Sequence, residues 1–263
     1  GTLEIGGAEK HIASVIPMLK DKGVYCSVCT LSGGGPLVSS LREQEVKVFC
    51  AEKVRPFKYG FMNRIPRLRG VVQHIKSIFL LLQVIYKSRP AVIHFFLPQA
   101  YIVGGFVSLV FPNIKRVMSR RSLNLYSEKK PIARRLEKFL HGRMDLVIGN
   151  SKAVISDLIN EGVSTKKLVL QYNGVRNYNY KRLSKNKDGT IELLVLANLI
   201  FYKGHRILFE ALAELPIDFS WRLTCVGRDD DYQSELETIA RNLMILDRID
   251  FTGSVGDPAP YLE

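Results

Sequence analysis

Strand-like and helix-like periodicities alternate along the whole of this chain, which restricts it to folds built on a parallel sheet. Short β-type runs at 46–50, 91–96, 114–119, 145–149 and 168–172 are separated by helical patterns near 70–88, 99–111, 131–141 and 151–161. Ahead of them, Ala8, Ile12, Val15, Ile16 and Leu19 recur at helical spacing directly after Gly6 and Gly7. VYCSVCTL (24–31) then reads as a strand, and Pro36 opens a short helix. Asn150 or Ser151 is a natural N-cap for the 151–161 helix and Gly162 a natural stop.

The stretch YNGVRNYNYKRLSKNKDGT, 172–190, is polar and aperiodic, and it divides two periodic regions. It places a boundary between expected domains 1–176 and 177–263. Beyond it the alternation restarts: strand 191–197, helix 203–215, strand 221–226, helix 231–244, strand 249–252. Only Gly1 to Ile5 stand before the Gly6-Gly7 loop, where a doubly wound domain should have a strand, and three strands are few for a second lobe. The chain is therefore expected to be cut at both ends, lacking the first strand of its first domain and part of its second.

Lys and Arg number 38 against 25 Asp and Glu, a net charge of +13 in 263 residues. The excess is local: residues 53–69 carry six basic residues and no acid, and residues 115–143 carry ten basic and two acidic. Such a face predicts an anionic partner, whether phosphate, nucleic acid or a membrane surface. No apolar run reaches the ~18 residues of a membrane span. VVQHIKSIFLLLQVIY (71–86) is interrupted by Gln73, His74, Lys76 and Gln83 and reads as a crossover helix. Cys26, Cys29, Cys50 and Cys225 form no disulfide framework, and the chain opens on no signal-peptide pattern, so a reducing compartment is expected. Cys26 and Cys29 read as packed strand residues, because no second Cys or His pair follows at zinc spacing.

Ligands of open parallel sheets bind beyond the carboxyl ends of the strands, where helix N-termini present unpaired N–H groups. Two loops into helices qualify. Gly6 and Gly7 let a bound group approach the backbone closely. In ANLIFYKGH (197–205), Lys203 and Gly204 open a helix, and a lysine there adds a full charge to the partial one of the helix, suiting a diphosphate. Neither G-x-G-x-x-G nor the P-loop motif occurs. Asp229, Asp230 and Asp231 could hold a divalent metal, but they read better as acids favouring the next helix N-terminus.

With these residues in place, the chain resembles the family 4 glycosyltransferases of the two-lobed GT-B fold. The resemblance is carried by GGAEKHIASVIPMLKDKG (6–23), GPLVSSLREQEVKV (35–48), PAVIHFFLP (90–98), DLVIGNSKAVISDLINEGV (145–163), YNGV (172–175), ANLIFYKGH and DRIDFTGSV (247–255), in that order. It implies an α/β architecture of two Rossmann-like parallel-sheet lobes facing a cleft, 1–176 on the acceptor side and 177–263 a partial donor lobe. It further implies transfer of a sugar from a nucleotide-sugar donor to a glycan or lipid-linked acceptor, with retention of configuration, no cofactor and no metal. Lys203 would neutralise the departing diphosphate in place of magnesium, and His94, closing a strand with Phe95 and Phe96, is a second catalytic candidate. Gly6, Gly7, Asn198, Gly204, Gly253 and Val255 would line the donor.

Three departures from the family pattern stand out. Ala197-Asn198 replaces the frequent Gly-Arg, so a second phosphate cation must come from elsewhere. Arg120 and Arg121 stand where a histidine often follows the strand, and they are candidates to contact an acceptor or phosphate. The paired glutamates of the second lobe are expected beyond Glu263. The resemblance, together with the basic stretches, implies a cytoplasmic enzyme of cell-envelope polysaccharide synthesis, peripheral on the inner face of the membrane. The competing readings are a binder of nucleic acid or anionic polymer and a nucleotide-sugar epimerase of the same fold. Against the first, no nucleic-acid motif occurs, and Phe57, Tyr59, Phe61 and Tyr126 form no regular stacking platform.

Overall fold

The computed structural model describes residues 2–4, 6–51, 66–123, 130–174, 189–256 and 258–262. Most of the basic stretch 53–69, the four aromatics at 57, 59, 61 and 126, and most of the expected linker lie outside the described residues. The chain divides into two compact units, Gly1–Val175 and Arg176–Glu263.

The first unit begins with α1 (Gly7–Asp21), β1 (Ser27–Thr30), α2 (Leu37–Glu43) and β2 (Lys47–Cys50). It continues through α3 (Pro66–Ser88), β3 (Val92–Phe96), α4 (Pro98–Ser108) and β4 (Lys115–Arg120). It ends with α5 (Pro131–His141), β5 (Leu146–Gly149), α6 (Lys152–Asn160) and β6 (Leu168–Leu170). All pairings are parallel, but in two separate sheets: β1 pairs β2, and β3-β4-β5-β6 run in chain order. The alternation of elements anticipates parallel strands without revealing this division. α3 joins the two sheets: Ser77 Oγ donates to Leu31 O at 2.5 Å, while Leu81 and Ile85 pack with Cys29 of β1 and Ile93 of β3. Among the described residues no helix is long and apolar enough to cross a membrane.

VYCSVCTL pairs only from Ser27, and the cause is the end of α1. Gly23 takes φ +78°, Val24 N–H donates back to Leu19 O and Gly23 N–H to Lys20 O, closing a left-handed helix stop that uses the amides a longer strand would need. Tyr25, 95% exposed, lies in that exit. Cys26 packs on the α1–α2 core and Cys29 sits in β1 with its thiol pushed up to about 11 by burial and then by Cys50, so both read as structural. At α4 the helix stops at Ser108 because Arg116 fills its end, with Nη2 donating to Ser108 O at 2.8 Å and Phe111 O at 2.9 Å. Ser151 caps α6 by accepting from Val154 N–H at 3.2 Å.

The second unit is a three-stranded parallel sheet, β7 (Ile191–Leu196), β8 (Trp221–Val226) and β9 (Ile249–Gly253), in chain order. Helices α7 (His205–Ala213) and α8 (Gln233–Asn242) cover it around Phe209, Leu223 and Leu236. α7 begins at His205, two residues later than its periodicity predicts, because Phe201–Lys203 form a 3₁₀ turn and Gly204 takes φ +83°. That backbone is open to glycine at little cost.

Candidate functional site

In the second unit the loops leaving the three strands converge at the carboxyl edge of the sheet. Gly227 lies against the Ala197 carbonyl so closely that any Cβ would overlap it. This contact zips two loops together: Leu199 N–H donates to Arg228 O at 2.9 Å, and Asn198 Oδ1 accepts from Arg228 N–H at 3.3 Å. Gly227 N–H donates in turn to Gly253 O at 3.0 Å, tying in the end of β9 next to half-buried Val255. From this platform Phe201, Tyr202 and Lys203 project into solvent, with Lys203 Nζ 5.6 Å from the Tyr202 ring centre. The ammonium thus stands one residue before Gly204, the N-cap of α7, whose first-turn amides present partial positive charge. His205 follows, 1% exposed, with neither ring nitrogen hydrogen-bonded among the described residues. Burial, then Lys203, lowers its pKa.

Two of the three aspartates are accounted for by local structure. Asp229 Oδ1 accepts from Tyr232 N–H at 2.8 Å and Gln233 N–H at 3.0 Å, opening α8, and Asp230 pairs with Arg228. This favours the helix reading over a metal at this loop.

In the first unit, β3 is followed by Leu97, a non-glycine residue at φ +71° and the N-cap of α4, which turns the chain into Pro98 at the start of that helix. Leu97, Tyr101, Ser119, Arg120, Arg121 and Glu137 are among the residues that line a pocket beyond β3 and β4. His94 Nε2 lies 2.7 Å from Ser119 Oγ, and its ring packs against Phe96 at 4.2 Å. Although part of His94 remains exposed, surrounding protein, then Arg121 and His11, lowers its pKa to about 4. The ring is accordingly neutral near pH 7 and suits hydrogen bonding better than proton abstraction. His11 of α1 is lowered too, by burial and then by Arg121, so two imidazoles and a guanidinium share this corner. Gly6 is the N-cap of α1, and the Glu9 carboxylate folds back over it into the space a Cβ would take.

Arg120 and Arg121 part company. Arg121 Nη2 donates to Asn173 Oδ1, while Arg120 reaches inward to Glu161 (2.7 Å), Glu137 (3.0 Å) and Asp157 (3.7 Å). Both border the pocket, but the Arg120 guanidinium is committed to these carboxylates, leaving Arg121 better placed for a ligand. Beneath, His141 Nε2 meets Glu161 at 3.0 Å and its Nδ1 meets the Tyr101 hydroxyl at 2.9 Å. Glu137, His141 and Glu161 lie close enough to ligate one cation, yet Arg120 already supplies positive charge to both carboxylates and both His141 nitrogens have partners. The donor set is that of an internal ion network.

The structure therefore gathers Asn198, Lys203, Gly204, Gly253 and Val255 about one sheet edge in the second unit. It places His94, Arg120 and Arg121 about another in the first, with Gly6 and Gly7 at the start of α1. Sequence reasoning misses His205 and His11. The KGH run offers a local signal for the first, whereas His11 shows only as a polar position in an amphipathic helix.

Residues 5–177 match the sequence model of Glycosyltransferase Family 4. No curated protein matches the chain. Among solved structures, Anabaena Alr3699/HepE in complex with UDP-glucose is 20% identical with TM-score 0.73, over 95% of this chain and 66% of that one. The apo form of the lipopolysaccharide outer core galactosyltransferase WaaB is 16% identical with TM-score 0.67, over 98% and 66%. A UDP-N-acetylglucosamine 2-epimerase from Listeria monocytogenes, so described, is 12% identical with TM-score 0.58, over 97% and 68%. The chain thus spans 66% of the length of HepE. With two units of parallel α/β sheet and the family match across the first, the chain belongs to glycosyltransferase family 4 and has the GT-B fold, its second lobe partial.

Proposed function

We propose that this chain is the acceptor lobe and part of the donor lobe of an enzyme that moves a hexose from a nucleotide sugar to a glycan or lipid-linked acceptor. The observation that carries the reading is Lys203, exposed beside the N-terminus of α7 at the carboxyl edge of β7 and β8. A diphosphate at that edge meets an ammonium, the helix amides and a backbone floor made close by Gly227. Charge that develops on the leaving group is then stabilised by fixed groups in the place a metal would take, and transfer with retention of configuration is what the family resemblance implies. Asn198 and Gly204 shape the loop, and Gly253 and Val255 flank the nucleobase. Neutral His94 and Arg121 orient the acceptor. HepE is described in complex with UDP-glucose and WaaB as a lipopolysaccharide outer core galactosyltransferase, which supports a uridine donor and envelope polysaccharide synthesis.

Calorimetric titration with UDP tests this reading. The unaltered protein is expected to bind, and Lys203→Ala to bind about tenfold to a hundredfold more weakly, as fits loss of a charge-assisted contact. Equal affinity of the two proteins would remove the proposal's foundation. Turnover of donor without acceptor would assign the epimerase reaction instead, and binding of duplex or RNA with no UDP binding would assign the polymer reading.

A further inference from the structure

A diphosphate carries more than one negative charge, and at the carboxyl edge of β7 and β8 Lys203 answers only one of them. The neighbouring loop position is Asn198, which brings an amide and no charge. Among the described residues of the three loops at this edge, the other cation is Arg228, directly after Gly227 at the end of β8. Its main chain is fixed beside Asn198. Leu199 N–H donates to Arg228 O, Asn198 Oδ1 accepts from Arg228 N–H, and Leu199 pairs with Asp229 in a parallel bridge, so residues 198 and 228 stand one strand spacing apart, about 4.8 Å.

The Arg228 side chain is 57% exposed and already grips an anion with its fork: Nε donates to Asp230 Oδ1 at 2.9 Å and Nη2 to Asp230 Oδ2 at 3.2 Å. Two oxygens of one anion against two N–H groups is also how a guanidinium takes a phosphate. Asp230 N–H donates to Leu199 O at 3.3 Å, so the holder rides on the same zipped loops as the cation it holds. Asp229 is engaged elsewhere, its carboxylate turned to the first amides of α8 at Tyr232 and Gln233.

From this arrangement we infer that Arg228 is the second phosphate ligand of the donor site, acting with Lys203, and that Asp230 is its placeholder, exchanged for phosphate oxygens when the donor binds. The inference rests on the proposed function for the presence of a diphosphate. Exchange is easy because an ion pair this exposed is weakly held, whereas a diphosphate offers the fork the same two-point contact with more charge. The arginine thereby supplies from the loop after β8 the cation that Ala197-Asn198 lacks. The bonds that zip the loops use the main chain of residue 228, so they survive replacement of its side chain.

Calorimetric titration with UDP, run on the unaltered protein and Lys203→Ala alongside the new variants, is the test. Arg228→Gln should weaken binding about tenfold, and Arg228→Lys, which keeps the charge without the fork, about threefold. Asp230→Asn, which releases the fork, should strengthen binding about threefold, an increase that a purely structural ion pair would not give. Uridine, which has no phosphate, should bind the unaltered protein and Arg228→Gln equally in an NMR titration. Because Arg228 is exposed, its variants should keep the thermal midpoint of the parent. Unchanged UDP affinity in Arg228→Gln, with Lys203→Ala weakened, overturns this inference and leaves the proposed function standing. Weaker binding by Asp230→Asn, or an equal loss of uridine binding in Arg228→Gln, overturns it likewise. Absence of UDP binding by the unaltered protein overturns both.

Discussion

His94, His205 and His11 are surrounded in ways that make the charged ring costly, and this gives the folded protein a definite response to acid. For His94 the pKa falls from 6.5 to about 4, through burial first and then the nearby Arg121 cation. Between those values the unfolded chain binds the proton that the folded one refuses, so stability rises with pH across the window and is lost as pH falls from 6.5 toward 4. His205 and His11 shift in the same direction and add to the slope. Asp145, with its pKa lowered chiefly by Lys115, acts in a separate window below the ordinary carboxylate value of 3.8. Urea midpoints measured from pH 7 down to pH 4.5 should therefore decline, and His94→Gln should decline less steeply while preserving a hydrogen-bonding group for Ser119. Parallel slopes for the two proteins would show that His94 charges freely in the folded state.

Between elements, the dominant polar tie is the Arg120 network, which fastens the end of β4 to α5 through Glu137 and to α6 through Asp157 and Glu161. Arg120→Met should cost about 3–5 kcal/mol, because two buried carboxylates lose their guanidinium, whereas Arg121→Gln at the pocket rim should cost under about 1 kcal/mol. Urea unfolding of the two variants separates them, and equal small losses would mean that Arg120 is solvated. Nothing local in SRRSLN distinguishes these neighbours. Their difference is set by partners 17 to 52 residues away, such as Glu137 for Arg120 and Asn173 for Arg121. Local features are legible in the sequence: α5 spans the expected 131–141, and Ser151, Gly162, Lys203 and Gly204 stand at helix ends because caps and turns are decided by a few adjacent residues. The split between the β1-β2 and β3–β6 sheets and the buried polar face of α5 depend on long-range pairing, which periodicity does not encode. The helical pattern of α5 shows apolar and charged stripes, but a stripe alone does not say which side faces the sheet.

At the scale of the whole chain, each hydrophobic cluster draws its members from one side of the boundary near residue 175. Phe209, Leu223 and Leu236 belong to a cluster confined to the second unit, whereas the clusters containing Leu140, Leu41 and Leu81 belong to the first. A cluster shared by no other unit is a cooperative unit of its own, and local opening can then be selective. Phe209 is 0% exposed, so Phe209→Ala removes a full aromatic side chain and leaves a cavity, worth about 3–5 kcal/mol. Leu140, also fully buried, offers the reciprocal change, at about 2–5 kcal/mol. In hydrogen exchange read by mass spectrometry, Phe209→Ala should speed exchange in β7, β8 and α7 while peptides from β3 to β6 keep their protection. Leu140→Ala should do the reverse. Uniform loss of protection through both units in either variant would mean that the two fold as one cooperative body, and that the separate cores do not mark separate stabilities.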